Sequence, residues 1–215
     1  NLLRFLTKQD HIEIVGVLTD SHLQGSPTTA AAQELGLPLY TFDTALEAMR
    51  EGRLKYDLGL SVLYWRKLRD EFLSIPTLGT INFHPALLPE YKGTGGYNLA
   101  IMDELNEWGN TAHYVDASID TGEIIEVDRF PIDAETETAQ SLERKTMQAL
   151  EDFARRIITR AIESKTKLPT TPNIGGRYVS RDEMEAMKQI RDGDNIEKKI
   201  RAFWFPPYDG AYVEI

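Results

Sequence analysis

Residues 79 to 93 read GTINFHPALLPEYKG, and the reading of this stretch decides the rest. Its first six residues, Gly79 to His84, make a short run of the kind that a buried strand uses. Pro85 pushes the residue before it toward extended backbone, which sets His84 at the very end of that strand. Asn82 and His84 are two apart, so both side chains lie on one face. In open α/β sheets, ligands bind outside the carboxyl ends of the strands. An amide donor and an imidazole therefore share one spot at that edge. Taken alone, His84-Pro85 is better explained as a structural histidine capping a loop.

Working toward the N-terminus, Tyr56 to Leu63 (YDLGLSVL) reads as another strand and Arg66 to Leu73 as a helix ending before Pro76. Before them, Asp43 to Arg50 is a helix with an acidic start, and Thr28 to Leu35 a helix stopped by Gly36. Ile12 to Leu18 (IEIVGVL) reads as a buried strand, ended by the polar stretch Thr19 to Ser26. On the other side, Gly96 to Trp108 reads as a helix. Strands alternating with helices predict an α/β fold, with a mostly parallel sheet flanked by helices.

The second half changes character. Thr111 to Val115 and Glu123 to Phe130 read as strands that pair as a hairpin around a tight Asp120-Thr121-Gly122 turn. A long helix follows, over about Thr138 to Lys165, with Leu150, Phe153, Ala154, Ile157, Ile158 and Ala161 forming one apolar stripe. Leu168 to Gly176 is a linker rich in Pro, Gly and Asn. The remainder holds a charged helix (Ser180 to Arg191), a second helix (Asn195 to Phe203) and the aromatic tail FWFPPYDGAYVEI. These pieces divide the chain into a main domain over 1–166 and a small C-terminal appendage over 167–215, too short for a core of its own.

The 215 residues contain no cysteine, which excludes disulfides, thiolate zinc sites and cysteine nucleophiles and fits a cytoplasmic protein. No metal site is expected. No apolar run reaches the roughly 18 residues of a membrane span. With 24 Lys and Arg against 34 Asp and Glu, the formal net charge is −10. A long nucleic acid would call for a basic stripe, so a large RNA partner is disfavoured and a small substrate is not.

A second cluster lies in Asn110 to Ile125, NTAHYVDASIDTGEII. Asp116, Ser118 and Asp120 fall in the turn, where a carboxylate can orient an imidazole and favour its protonated form. Asp120-Thr121-Gly122 is also the tripeptide of aspartic proteases, but those enzymes need two such loops.

Together, Asn82-x-His84, Leu87-Leu88-Pro89, Lys92-Gly93 and Asp120-Thr121-Gly122, with Asp120 following His84 by 36 residues, resemble the formyltransferase family that uses 10-formyltetrahydrofolate. That resemblance implies a Rossmann-like fold, with Asn82, His84 and Asp120 as catalytic residues. It places Trp65, Arg66 and Leu68 on one side of the folate, and Asp116 and Ile119 on the other. It further implies 10-formyltetrahydrofolate as co-substrate and a small-molecule primary amine as acceptor. The C-terminal stretch, GGRYVSRDEMEAMK and KKIRAFWFPPYDGAY, is most similar to amino-sugar N-formyltransferases, which implies a nucleotide-linked amino sugar. Glycinamide ribonucleotide, methionyl-tRNA, water (a deformylase) and plain folate binding without catalysis stay open as alternatives. The aromatic tail makes a homodimer an expectation. The sequence starts at Asn1-Leu2-Leu3, which resembles the family's first helix, and the preceding strand and Gly-rich loop are not in it.

Overall fold

The computed structural model describes residues 2–19 and 25–214. Five of the residues expected to break the chain after the first strand, Asp20 to Gln24, lie outside the described residues, as do Asn1 and Ile215 at the two ends. Helix α1 (Leu2–Leu6) leads to strand β1 (Val17–Leu18), helix α2 (Pro27–Glu34), strand β2 (Leu39–Tyr40) and helix α3 (Phe42–Arg50). Strand β3 (Gly59–Val62), helix α4 (Asp70–Ser74), strand β4 (Thr80–His84), strand β5 (Tyr91–Gly93) and helix α5 (Gly96–Met102) follow. The second half holds strands β6 (Glu107–Tyr114) and β7 (Ile124–Pro131), helix α6 (Ala139–Ser164), strand β8 (Arg177–Val179), and helices α7 (Arg181–Ala186) and α8 (Ile196–Ala202).

The central sheet has the order β3-β4-β6-β7. β3 and β4 run parallel, whereas β4, β6 and β7 pair antiparallel. β1–β2 and β5–β8 are two further parallel pairs. Helices flank parallel pairs in the first half and a hairpin closes the second, as the alternation of runs predicts.

Helix α6 covers this sheet. Its first turn is closed by a capping box between Thr138 and Ser141, and Lys165 ends it in the left-handed region with φ 54°. The apolar stripe predicted for it is buried, with Leu150, Phe153, Ala154, Ile157, Ile158 and Ala161 packed on Ile81 and Phe83 of β4 and Ala112 of β6. Phe83 and Phe153 meet edge-on with centroids 6.1 Å apart. Nearer the start of the helix, Leu142 packs with Ala86, Leu87 and Trp108. The loop that leaves β4 is therefore seated in the core and not loose above it.

Several boundaries depart from the sequence reading. Only Val17 and Leu18 of the first expected strand pair with β2, while Ile12 and Ile14 pack on the core without a ladder assignment. The expected helix to Trp108 ends at Met102. Glu104 adopts φ 54° and the Leu105 amide returns to the Ala100 carbonyl, so the chain turns back and Trp108 becomes a fully buried strand residue. The hairpin turn is not tight, because nine residues, 115–123, separate β6 from β7. The charged helix α7 stops at Ala186, since Ile190 and Lys188 exchange backbone hydrogen bonds with Tyr212 of the tail. That pairing needs extended backbone and competes with the helix.

The C-terminal elements pack on the rest of the chain: Ala202 and Phe203 are buried with Ile101, and Asn98 Nδ2 donates to the Ala202 carbonyl at 2.7 Å. No described helix is long and apolar enough to cross a membrane.

Candidate active site

β4 delivers Asn82 and His84 to one face, and the antiparallel partner β6 sets His113 opposite Asn82 and Thr111 opposite His84. The Thr111 hydroxyl donates to the Ala86 carbonyl at 2.7 Å and accepts from the Leu88 amide at 3.1 Å, pinning the loop that leaves His84. Asp120 arrives from the 115–123 loop. That loop is shaped by Asp116, whose carboxylate accepts from the Ser118 amide at 3.0 Å and the Thr121 hydroxyl at 2.6 Å. At Gly122 a Cβ would lie 1.8 Å from the Tyr114 carbonyl oxygen, so only glycine lets the loop close on β6. Asp120 itself has φ 54°, a left-handed conformation that costs about 1 kcal/mol for a residue with a Cβ.

The result is a cluster of four side chains. His84 Nδ1 lies 3.6 Å from Asp120 Oδ2, and His113 Nε2 lies 3.6 Å from Asp120 Oδ1. Asp120 Oδ2 also accepts from the Gly93 amide at 2.9 Å. His113 Nδ1 is 2.8 Å from the Tyr114 carbonyl, which can only accept, so that nitrogen carries the proton. His113 Nε2 is then an acceptor, and the Asn82 amide nitrogen donates to it at 3.0 Å. This network assigns the tautomer and the amide orientation together. It leaves the second N–H of Asn82 unused by His113.

His84 Nε2 is 2.8 Å from the Tyr91 carbonyl and by the same reasoning donates to it. Its Nδ1 then faces the Asp120 carboxylate at 3.6 Å, acceptor to acceptor and beyond hydrogen-bond distance. Burial pushes the His84 imidazole below its ordinary pKa of 6.5, outweighing the Asp120 charge and the Tyr91 carbonyl, which both raise it. Asp120 does favour the protonated imidazole, as its place in the turn suggests, yet burial wins and His84 rests neutral at pH 7. Burial also raises the Asp120 carboxyl, but the His113 and His84 rings and the Gly93 amide overcome it and hold the group below its usual 3.8. The cluster is thus short of a proton while desolvated, with His84 only 8% exposed.

The residues expected to contact folate are placed differently. Trp65 is 58% exposed, so it is not packed between strand and helix. The Arg66 guanidinium stacks on Phe42 at 4.1 Å and lies 5.7 Å from the Trp65 ring. Leu68 lines a cavity of about 530 Å³ with Lys67, Arg69 and Ala117. Ile119 lines a second, of about 340 Å³, with Lys67, Lys92, Thr121 and Tyr178. Trp65, Arg66 and Asp116 line neither cavity, and Asp116 spends its carboxylate on the loop. The larger cavity lies away from Asn82, His84 and Asp120, and the smaller one reaches the residues on both sides of Asp120.

Sequence reading missed His113 as a site residue, although it is 2% exposed and hydrogen-bonded to Asn82. Its signal was the cross-strand register, which becomes visible once β4 and β6 are paired. It also missed that Tyr91 and Gly93 act through backbone atoms, for which residue type gives no signal.

Residues 7–161 match the family model described as formyl transferase. Among curated proteins, the chain is 30% identical over 199 residues to the methionyl-tRNA formyltransferase of Listeria innocua, covering 88% of this chain and 61% of that protein. It is 29% identical to the methionyl-tRNA formyltransferase of Bacteroides fragilis, again covering 61% of its length. The chain therefore spans about three fifths of these relatives. Among solved structures, an N-formyltransferase from Helicobacter canadensis, in complex with folinic acid and dTDP-3-aminofucose, superimposes with TM-score 0.76 at 26% identity, over 99% of this chain and 78% of that one. A 4-N formyltransferase from Francisella tularensis shares the fold, with TM-score 0.69 at 20% identity over 92% and 90% of the two chains.

Proposed function

Because this chain belongs to the formyl transferase family, we propose that it moves a formyl group from 10-formyltetrahydrofolate to a primary amine, with Asn82, His84 and Asp120 as catalytic residues. The observation that carries this reading is the convergence of those three side chains, with His113, at the end of β4. The amine nitrogen bonds to the formyl carbon, giving an oxyanion and an ammonium. The second N–H of Asn82, its partner fixed on His113, donates to that oxyanion, an interaction worth about 3 kcal/mol. The neutral His84 and Asp120 pair accepts the ammonium proton and returns it to N10 of the folate as the C–N10 bond breaks. No net proton is left in the site.

The folate lies between the 65–68 segment, with Trp65, Arg66 and Leu68, and the 116–119 segment, with Asp116 and Ile119. The exposed Trp65 ring and the cavities beside Leu68 and Ile119 support that path. Catalysis falls to residues 1–166, and 167–215 forms an appendage fastened to it.

For the acceptor we propose a nucleotide-linked amino sugar. The similarity to the Helicobacter canadensis structure, which holds a dTDP-linked amino sugar and extends across the appendage, supports it. The net charge of −10 argues the same way, against a long polyanion. A second reading, methionyl-tRNA as acceptor, is favoured by the identity to the Listeria innocua protein.

The experiment is a turnover panel, in which the protein, 10-formyltetrahydrofolate and one acceptor at a time are mixed and tetrahydrofolate release is followed. The acceptors are dTDP-, UDP- and GDP-linked amino sugars, glycinamide ribonucleotide and methionyl-tRNA. We expect release that depends on one sugar nucleotide. Release with tRNA or glycinamide ribonucleotide alone overturns the acceptor, and release without acceptor makes the protein a hydrolase. Silence across the panel overturns each of these acceptors and leaves the amine to be found.

A further inference from the structure

Part of what holds Asp120 comes from a segment that belongs to none of the strands carrying the site. Asn173 lies between α6 and β8, and its Nδ2 donates to the Asp120 carbonyl at 3.0 Å and to the Gly122 carbonyl at 2.9 Å. The orientation of this amide is forced, because its oxygen in the same place would face two carbonyl oxygens. Oδ1 is buried and has no hydrogen-bond partner among the described residues, so the amide is spent on the turn alone.

The neighbours of Asn173 fasten the same segment on both sides of the cluster. Thr171 exchanges backbone hydrogen bonds with Ile124, just beyond the Asp120 turn. Lys92 Nζ donates to the Gly175 carbonyl at 2.8 Å. A Cβ at Gly176 would lie 1.5 Å from the Pro89 carbonyl oxygen, so the absence of a side chain lets the segment meet the loop after β4. β8 then pairs with β5 in the register Tyr91↔Arg177 and Gly93↔Val179. Tyr91 and Gly93 are the residues whose backbone atoms bind His84 and Asp120. The segment from Thr171 to Val179 thus meets the Asp120 turn through the Asn173 side chain, and the Tyr91–Gly93 backbone through β8.

We propose that Asn173 is a positioning residue, whose amide holds the Asp120–Gly122 turn so that the Asp120 carboxylate stays between His84 and His113. This rests on the reading of Asp120 as catalytic. Asp120 is in the left-handed region, which it leaves when the two donated hydrogen bonds are lost. The carboxylate faces the His84 and His113 rings and the Gly93 amide, and its withdrawal removes the one charge that raises the His84 pKa.

The test is an NMR titration of the His84 imidazole in the full chain, for the protein as it stands and for Asn173→Ala, Asn173→Ser and Asp120→Asn, with melting temperatures as a check on folding. Asn173→Ala should move the His84 midpoint to lower pH, in the direction of Asp120→Asn and by a smaller amount. Asn173→Ser, which keeps one donor, should fall between, and it carries the test if the alanine variant does not fold. On the best acceptor of the panel, kcat of Asn173→Ala should drop about tenfold, with KM for 10-formyltetrahydrofolate changed less than about threefold. A lowered melting temperature with an unmoved His84 midpoint overturns the role of Asn173, provided Asp120→Asn moves it. If Asp120→Asn leaves the midpoint unmoved, the coupling of Asp120 to His84 is overturned first, and the role of Asn173 with it.

Discussion

The carboxyl ends of the parallel strands β3 and β4 share one edge of the sheet, yet the two loops that leave it are built by opposite means. The loop after β4 is buried, with Leu87 and Leu88 in the core and Thr111 pinning its backbone. The side chains at its root, Asn82 and His84, each have a fixed partner before any substrate arrives. The loop after β3 instead leaves Leu63 and Trp65 in the open. Groups that must act on a developing charge gain from being held in advance, since no reorganisation is then needed in the transition state. A surface that only has to cover a flat ring gains its contacts when the ring arrives. For the proposed reaction, this difference suits the β4 side to transition-state work and the β3 side to ground-state binding.

That assignment is sharpest at Asn82. Asn82→Ala should lower kcat by about 10²-fold, with the affinity for folate little changed. Steady-state kinetics on the best acceptor, with tetrahydrofolate affinity measured separately, checks both halves. A variant that loses affinity and keeps kcat would reverse the roles of the two loops. On the other side, Trp65→Ala should raise KM for 10-formyltetrahydrofolate about fivefold and keep kcat within about twofold, the pattern of lost uniform binding. Because Trp65 is 58% exposed, the same change should shift stability by no more than about 0.5 kcal/mol in denaturant unfolding. A large loss of stability would mean that the ring is structural after all.

The contrast also explains what the sequence discloses. Asn82 and His84 are legible because two strong local rules agree, alternation along a strand and the extended residue before Pro85. Asp120 is 36 residues away and becomes readable only through that spacing, since nothing local distinguishes it from Asp116. His113 is hidden one step further, because its role depends on which residue it faces across β4 and β6, next to an irregularity at Ala112 and His113. Asn173 leaves no trace, since its partners are the carbonyls of Asp120 and Gly122, which any residue would supply. The fold shows the same gradient. The stripe of α6 is a periodic signal over many residues and is placed correctly, whereas the overextended helix at Trp108 failed on one left-handed residue, Glu104. β5 and β8 are three residues each, too short for any period to show, and their pairing is a tertiary event.

The smallest effect concerns pH and tests the buried side from within. If His84 takes the ammonium proton, only its neutral form is competent, and activity must fall as pH drops through its pKa. Burial holds that pKa below 6.5, so kcat/KM should stay level from pH 7 down past 6.5 and fall only in more acid solution. The linked effect on stability has a definite sign. Between 6.5 and the depressed value, the unfolded chain binds a proton at His84 that the folded chain refuses, so stability present above 6.5 is lost as pH falls through that window. A profile that falls as pH rises through the neutral range, with no acid limb, would sink the neutral-base role. It would show that the protonated imidazole is the working form, and that the Asp120 charge prevails over burial once substrate fills the site.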